Sequence, residues 1–349
     1  IGTDKFLLIY FEGQLYDITP LKTTLTSATL ATTNTSAICS ITTGTNHNLS
    51  VGDIVLLDTV TLPVGTGYVD ADFENKLFQV TSITSATVFT ITQSTAATAT
   101  VGTGGSLSVK PYEQVGPAEQ SYGYGWGIDT WSSGKWGEAA SASDVSLEPG
   151  LWSLSNFGQV LVATIANGKT FTWNAGDAAR LTTRASTATS GFETTNNPTA
   201  TRITLVSPTT RHLIHLGTET TIGDPTTQDD MFIRFSDQED INDYVPTAIN
   251  SAGSQRLQDG TRIIGALKAK ESILVWTDNA LYTMKFIGAP FTFGFEQVGT
   301  NCGLIGKNAA IEIDGMAFWM SSNGFFMFDG TVKSLPCSVE DYVYDQADT

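Results

Sequence analysis

The sequence predicts an all-β protein with a β-propeller-like core of antiparallel blades and an inserted small β-domain. Three observations lead there. A strand, tight turn and strand return at Lys5–Ile18, Asn156–Trp173, Ser272–Phe286 and Asn323–Leu335. Continuous apolar runs sit beside those turns. No segment carries a sustained helical stripe, so very little helix is expected. A small sheet repeated along a chain must find a neighbour to cover its apolar faces, and radially arranged blades supply one.

The elements follow in order. Residues 1–20 form the first hairpin of the core and end at Pro20. Residues 21–110 are Thr-rich and nearly free of aromatics. Within them Asn46–Leu57 reads as a turn entering a strand, and Phe78–Ile83 and Thr87–Thr92 read as two alternating strands. That alternation argues for a small inserted β-domain rather than disorder. Residues 111–150 form a connecting segment whose stretch Tyr122–Gly137 interleaves glycines with aromatic rings that need a surface to dock on. Residues 151–349 hold the remainder of the core. Asn167-Gly168, Asp259-Gly260, Asp314-Gly315, Asn323-Gly324 and Asp329-Gly330 are the pairs that two-residue hairpin loops require.

The runs Phe6–Tyr10, Val160–Ile165, Ile273–Trp276, Met316–Met320 and Phe325–Phe328 are apolar without alternation. A strand with one wet face alternates, so both faces of these strands are expected to be buried. Stacked blades do that, and so does contact with another copy of the chain.

Composition agrees with this reading. The chain has 349 residues, 15% charged and 10% aromatic, with Thr, Ser and Asn between the apolar runs. A chain of this length supports one large domain or two to three smaller ones and needs no staples to fold. Its formal net charge is -17, which suits solubility and disfavours gripping nucleic acid, where affinity comes from neutralising phosphates. A surface past which nucleic acid slides without sticking has the same sign of charge. Cys39, Cys302 and Cys337 form neither a disulfide framework nor a zinc spacing. No apolar run reaches the ~18 residues of a membrane span. Ile1 and the polar stretch Asp345–Thr349 are compatible with cuts in a longer protein.

No catalytic set, cofactor motif or metal cluster stands out. His212 and His215 are three apart, and on a strand such positions point to opposite faces, so a structural or surface role is expected for them. His47 completes the histidines. Asp70, Asp72 and Glu74 alternate, but Asn75 stands where a calcium loop needs Gly, so the stretch reads as a solvated turn. Asp237–Asp243 is a second acidic cluster that suits a cation, a basic partner or plain solvation. Asp129–Trp136 lacks the spacing of a sialidase Asp-box, since its Asp lies too far before the Gly. No phosphate loop, nucleophile elbow or H-E-x-x-H occurs.

Phe232–Tyr244, Asn250–Leu257, Leu274–Tyr282, Gly299–Gly306, Phe318–Gly330 and Leu335–Tyr342, with Ile1–Thr3 and Leu15–Pro20, resemble virion tail proteins of tailed bacteriophages. The nearest likeness is to the nozzle-type tail tubular proteins of short-tailed phages. The resemblance covers 1–20 and most of 112–345, and residues 21–110 resemble small β-domains inserted in phage structural proteins. It implies a structural, non-enzymatic subunit of a tail channel, assembled in the host cytoplasm as a homo-oligomer, a six-fold ring. Adaptor and tail fibres are the implied neighbours. DNA is implied to pass through an acidic lumen without specific binding. The alternative is a receptor- or glycan-binding propeller at the tail tip, with Trp126, Trp131 and Trp136 stacking on sugars; the competing role for these rings is packing between blades.

Overall fold

The computed structural model describes residues 1–116, 150–186, 196–270 and 272–346. Strands make up 49% and helix 4% of it, so the fold is all-β as the sequence predicts. The chain divides into two compact units, Ile1–Pro149 and Gly150–Thr349.

The first unit opens on a hairpin of β1 (Leu8–Phe11) and β2 (Gln14–Asp17). Glu12 and Gly13 join them with φ of 48° and 85°, the two positive values of a type I′ turn. Leu7 and Ile18 are buried at its base, but Tyr10 is 71% exposed. The expectation that Phe6–Tyr10 is covered on both faces therefore fails. A two-stranded ribbon packed at one end leaves its tip in water.

Six strands follow: β3 (Leu25–Thr32), β4 (Ile38–Thr42), β5 (Ile54–Thr61), β6 (Lys76–Ser85), β7 (Val88–Thr92) and β8 (Val101–Pro111). They close into an antiparallel barrel in the order β3-β4-β7-β6-β5-β8. Leu30, Cys39, Ile41, Val55, Leu57, Val80, Phe89, Ile91 and Val109 fill it. On β4 the buried Cys39 and Ile41 alternate with Ile38, Ser40 and Thr42. The Thr density is thus the wetter face of these strands, where β-branched side chains fit the pleat. Closure leaves no unpaired edge.

The second unit is a series of antiparallel meanders. The first has three strands: β9 (Trp152–Phe157), β10 (Val160–Ile165) and β11 (Thr170–Asn174). The second comprises β12 (Thr201–Val206), β13 (Leu213–Thr218), β14 (Phe232–Phe235) and β15 (Gly253–Arg256). The third comprises β16 (Ile263–Lys268), β17 (Ile273–Thr277), β18 (Ala280–Gly288) and β19 (Thr292–Thr300). The fourth comprises β20 (Ala310–Ile313), β21 (Met316–Ser321), β22 (Gly324–Phe328) and β23 (Val332–Leu335), and a short helix α1 (Glu340–Asp345) follows. First strands meet first strands: β12 lies against β9, β16 against β12 and β20 against β16. This is the order of propeller blades, with the first strand innermost.

Strand β17 shows why an apolar run need not alternate. Ile273 and Val275 pack back onto Ile214, Leu216 and Ile233 of the second meander. Leu274 and Trp276 pack forward onto Ala317 and Trp319 of the fourth. The Trp276 and Trp319 rings meet edge to face at 5.5 Å. The fourth meander departs from the expectation. On β21 the buried Ala317 and Trp319 alternate with Phe318 and Met320, and Met316 is exposed. Residues Phe325–Phe328 are only half-buried. One face of this meander covers the third, and the other is partly open.

Four of the five turn pairs sit at hairpins. Asp314 and Gly315, with φ of 52° and 84°, join β20 to β21 as a type I′ turn. Asp259-Gly260 does not: it lies in the link from β15 to β16, between meanders. The next link is clamped. Cys302 N donates to Asn279 O at 3.0 Å and Leu304 N to Thr277 O at 3.1 Å. Between them Gly303 lies on the β17–β18 turn, where a Cβ would come within 2.2 Å of the Asp278 carbonyl oxygen.

That contact is with backbone, which cannot swing aside. Gly303→Ala is expected to lower stability by about 1–3 kcal/mol through forced displacement. Gly306→Ala, where a Cβ meets nothing within 4 Å, is expected to change it by less than ~0.5 kcal/mol beyond the propensity difference. Urea midpoints at constant slope decide, and equal midpoints for the two variants would refute the clamp.

Candidate functional site

A buried group of polar and titratable side chains lies where the first and second meanders meet. Cross-strand register puts Thr204, His215 and Arg234 in one row across β12, β13 and β14. From the first meander, Thr164 hydrogen-bonds both Thr170 and Thr204 at 2.8 Å. The His215 ring pairs through Nδ1 with Thr201 Oγ1 and through Nε2 with the Tyr244 hydroxyl, both at 3.0 Å. His215, Thr201 and Tyr244 are fully buried.

Arg234 stands beside them. Its guanidinium donates to the carbonyls of Thr220 at 2.8 Å, Glu219 at 3.3 Å and Tyr244 at 3.4 Å, while Nε has no partner among the described residues. The Glu219 carboxylate accepts from Thr199 N at 2.9 Å, from the Thr199 hydroxyl and from Gly223 N at 2.6 Å. Burial, and beside it the Arg234 charge, push the His215 imidazolium down to about 3. Burial also raises the Tyr244 hydroxyl well above its ordinary value, with Asp240 adding to it. The ring is therefore neutral at physiological pH.

A general base needs a nitrogen facing substrate and a route for its proton. His215 has neither. His212 is likewise clamped, with Nδ1 at 2.7 Å from Thr210 Oγ1 and Nε2 at 3.0 Å from Ser251 Oγ. In the barrel, His47 Nδ1 accepts from Leu49 N at 3.0 Å and Nε2 pairs with Ser85 O at 3.0 Å. All six ring nitrogens are thus engaged within the protein. His212 precedes β13 and His215 lies within it, and they do not converge on a common partner, so the expected structural role is the one their contacts support.

The acidic stretches are also spent locally. Asp70 accepts from Leu62 N, Asp72 from Val69 N and Glu74 from Thr59 N and Val60 N. The stretch is a solvent-facing 3₁₀ turn (Asp70–Asp72) whose carboxylates brace the end of β5, with Phe73 driven into the core. In the second cluster Asp237 accepts from Ser251 N, Ser251 Oγ and Gln238 N. Burial alone raises this carboxyl, but those bonds together outweigh it and hold it below the usual range. Asp243 accepts from Val245 N and from the Asn250 amide. No group of three or more His, Cys, Asp or Glu side chains among the described residues is arranged to hold a metal. Burial raises the thiols of Cys39 and Cys302, which keeps them protonated. Trp126, Trp131, Trp136 and Asp129 lie outside the described residues.

The sequence reading did not single out Glu219 or Arg234. A signal existed for the latter: an arginine inside the apolar strand Phe232–Phe235 is a buried charge that must find acceptors.

No family model matches the chain, and no curated protein matches it. Among solved structures it aligns with a phage phi92 endosialidase at 14% identity and a TM-score of 0.25, over 87% of this chain and 47% of that one. The chain thus spans about half the length of that protein, and a likeness of this size carries no argument about fold or activity. No helix among the described residues is long and apolar enough to cross a membrane.

The buried imidazole makes a test. Its folded value lies below its unfolded value, so its contribution is fully present above about 6.5 and is lost as pH falls toward about 3. Stability is expected to drop between pH 6.5 and 4 by at most ~1.4 kcal/mol per pH unit. His215→Gln is expected to flatten that slope whatever its effect at pH 7. An unchanged slope in urea titrations across this range would show that His215 is not the group responsible.

Proposed function

We propose that the chain is a structural, non-enzymatic component of a bacteriophage tail, a nozzle-type subunit forming part of the channel that retains and conducts the genome. The observation that carries this reading is where the resembling stretches fall. Phe232–Tyr244 supplies β14 and the Asp237 and Tyr244 anchors. Gly299–Gly306 is the clamped link between the third and fourth meanders. Phe318–Gly330 is the β21–β22 hairpin bearing Trp319. These segments are joints of an architecture, and their polar groups are consumed by one another rather than held open for a ligand.

In this reading the partners are further copies of the chain in a six-fold ring, the adaptor and the tail fibres. DNA passes without specific contacts, and a net charge of -17 lowers the friction of passing phosphates. The chain belongs to the virion and is assembled in the host cytoplasm.

Mass spectrometry of purified, salt-washed virions of the encoding phage is expected to recover its peptides in stoichiometric amount. Their absence would end the proposal. A ring with subunit contacts above ~1,000 Å² is expected to sediment as an oligomer. Specific capture by a glycan array, abolished by Trp131→Ala, would instead move the chain to a receptor-binding role at the tail tip.

A further inference from the structure

The innermost strands of the second unit gather positive charge that the sequence scatters. Arg202 lies on β12, Lys268 ends β16, and Lys307 precedes β20. Both lysines reach strand β9. Lys307 Nζ donates to Ser153 Oγ at 2.9 Å and to Trp152 O at 3.1 Å. Lys268 Nζ donates to Ser155 Oγ at 3.0 Å. Ser153 and Ser155 are two apart on one side of β9 and are 4% and 7% exposed.

The donors here outnumber the acceptors. Ser155 Oγ accepts from Val206 N at 3.1 Å as well as from Lys268, so its own proton is left over among the described residues. Ser153 Oγ accepts from Lys307, and its proton has no acceptor either among the described residues. An ammonium carries three donors; Lys268 uses one and Lys307 two. Arg202 has a counterion, Asp230 Oδ2 at 3.4 Å. Neither lysine has a carboxylate within ion-pairing distance among the described residues. Burial, with the Arg202 charge behind it, pushes the Lys307 amine down to about 8. The chain carries 35 acidic side chains, and among the described residues none forms an ion pair with either amine.

We propose that this hub is a binding site for a small free oxyanion of the phosphate type, held by the spare donors of Lys268, Lys307, Ser153 and Ser155. Two amines and two hydroxyl protons without acceptors match the several acceptor oxygens of a tetrahedral anion. The cation Arg202 adds charge, and the exposure of Lys268 marks the side of entry. The inference does not rest on the tail reading and survives or fails without it.

Inorganic phosphate titrated into the full chain at pH 7, at constant ionic strength in chloride and followed by calorimetry, is expected to bind saturably. Lys307→Met and Ser155→Ala are each expected to weaken it about tenfold or more, the loss of one charge-assisted or buried hydrogen bond. Lys76→Met, in the barrel, is expected to leave it unchanged. Wild-type affinity is expected to fall as pH rises past about 8, where Lys307 loses its charge; a lysine that only props up the Trp152 carbonyl gives no such dependence. Circular dichroism checks that each variant is folded. If Lys307→Met is not, Lys268→Met and the wild-type pH profile decide. Absence of saturable binding, or binding indifferent to these changes, overturns the proposal. Displacement of phosphate by a short DNA duplex would assign the donors to a polyanion and overturn the free-anion assignment.

Discussion

A β-sheet has two faces, and in a serial stack each interior sheet must bury both. The third meander meets that demand by splitting one strand, with Ile273 and Val275 turned one way and Leu274 and Trp276 the other. The magnitudes show why the arrangement holds despite a defect. Trp276 is fully buried, and its indole N–H has no acceptor among the described residues, which costs ~1–3 kcal/mol. Burying a ring of this size removes roughly 150–250 Å² from water. At about 25 cal/mol per Å² that contributes ~4–6 kcal/mol. Burial wins, and the unsatisfied donor is tolerated.

The seam between the first and second meanders is built differently. It is a row of threonines, a neutral imidazole and a tyrosine hydroxyl, joined by bonds of 2.8–3.0 Å. Apolar contacts are indifferent to small slides, whereas hydrogen bonds are directional and lose their energy when misaligned. Within this row the Thr164–Thr204 bond crosses between the meanders, beside the apolar contacts of Phe157 and Val162 with Val206 and Leu213, and adds a directional constraint to them. Arg234 extends the row by tying the carbonyls of Glu219, Thr220 and Tyr244 to β14. Burial lowers the readiness of this guanidinium to stay charged, and the nearby Glu219 opposes that.

The fold was legible where local chemistry dictates it. Asp314-Gly315 between two apolar runs marked a tight hairpin, and the alternation of Phe78–Ile83 and Thr87–Thr92 marked the strands that became β6 and β7. The second meander was less legible. Strands β14 and β15 are joined by residues 236–252 rather than a two-residue turn, so the repeated hairpin pattern skips it. Asp259-Gly260 misled because the same dipeptide serves a link between sheets. At the site, the sequence placed His212 and His215 on opposite faces of one strand, but His212 lies just before β13, and separate hydrogen-bond partners hold the two rings apart. The lysine hub was not legible, because Lys268 and Lys307 reach β9 only through the packing of segments far apart in sequence. Burial on both faces was read correctly for Ile273–Trp276 and wrongly for Met316–Met320. A run of apolar residues records what a strand is suited to touch, and the end of a stack leaves part of that suitability unused.

The acidity of the chain has a local cause as well as a global consequence. Asp17, Asp177, Asp224, Asp229, Asp240 and Asp243 each accept from the backbone N–H two residues on. This is the Asx-turn, and it is why Asp concentrates where a chain reverses. Glu74, Glu219 and Glu312 do the same for more distant N–H groups. An all-β chain with this many reversals needs many such acceptors, and aspartate supplies them with a charge attached. Lysine and arginine offer donors only, so they cannot replace aspartate at these positions. Part of the net charge of -17 is therefore the by-product of turn chemistry, and a repulsive surface toward phosphates comes with the fold. The hub runs against this trend: two amines, one at the end of β16 and one in the link before β20, reach serine hydroxyls of β9 rather than carboxylates. The same bias toward acceptors at the reversals that makes the chain acidic thus leaves its innermost strands as the place where an anion finds donors.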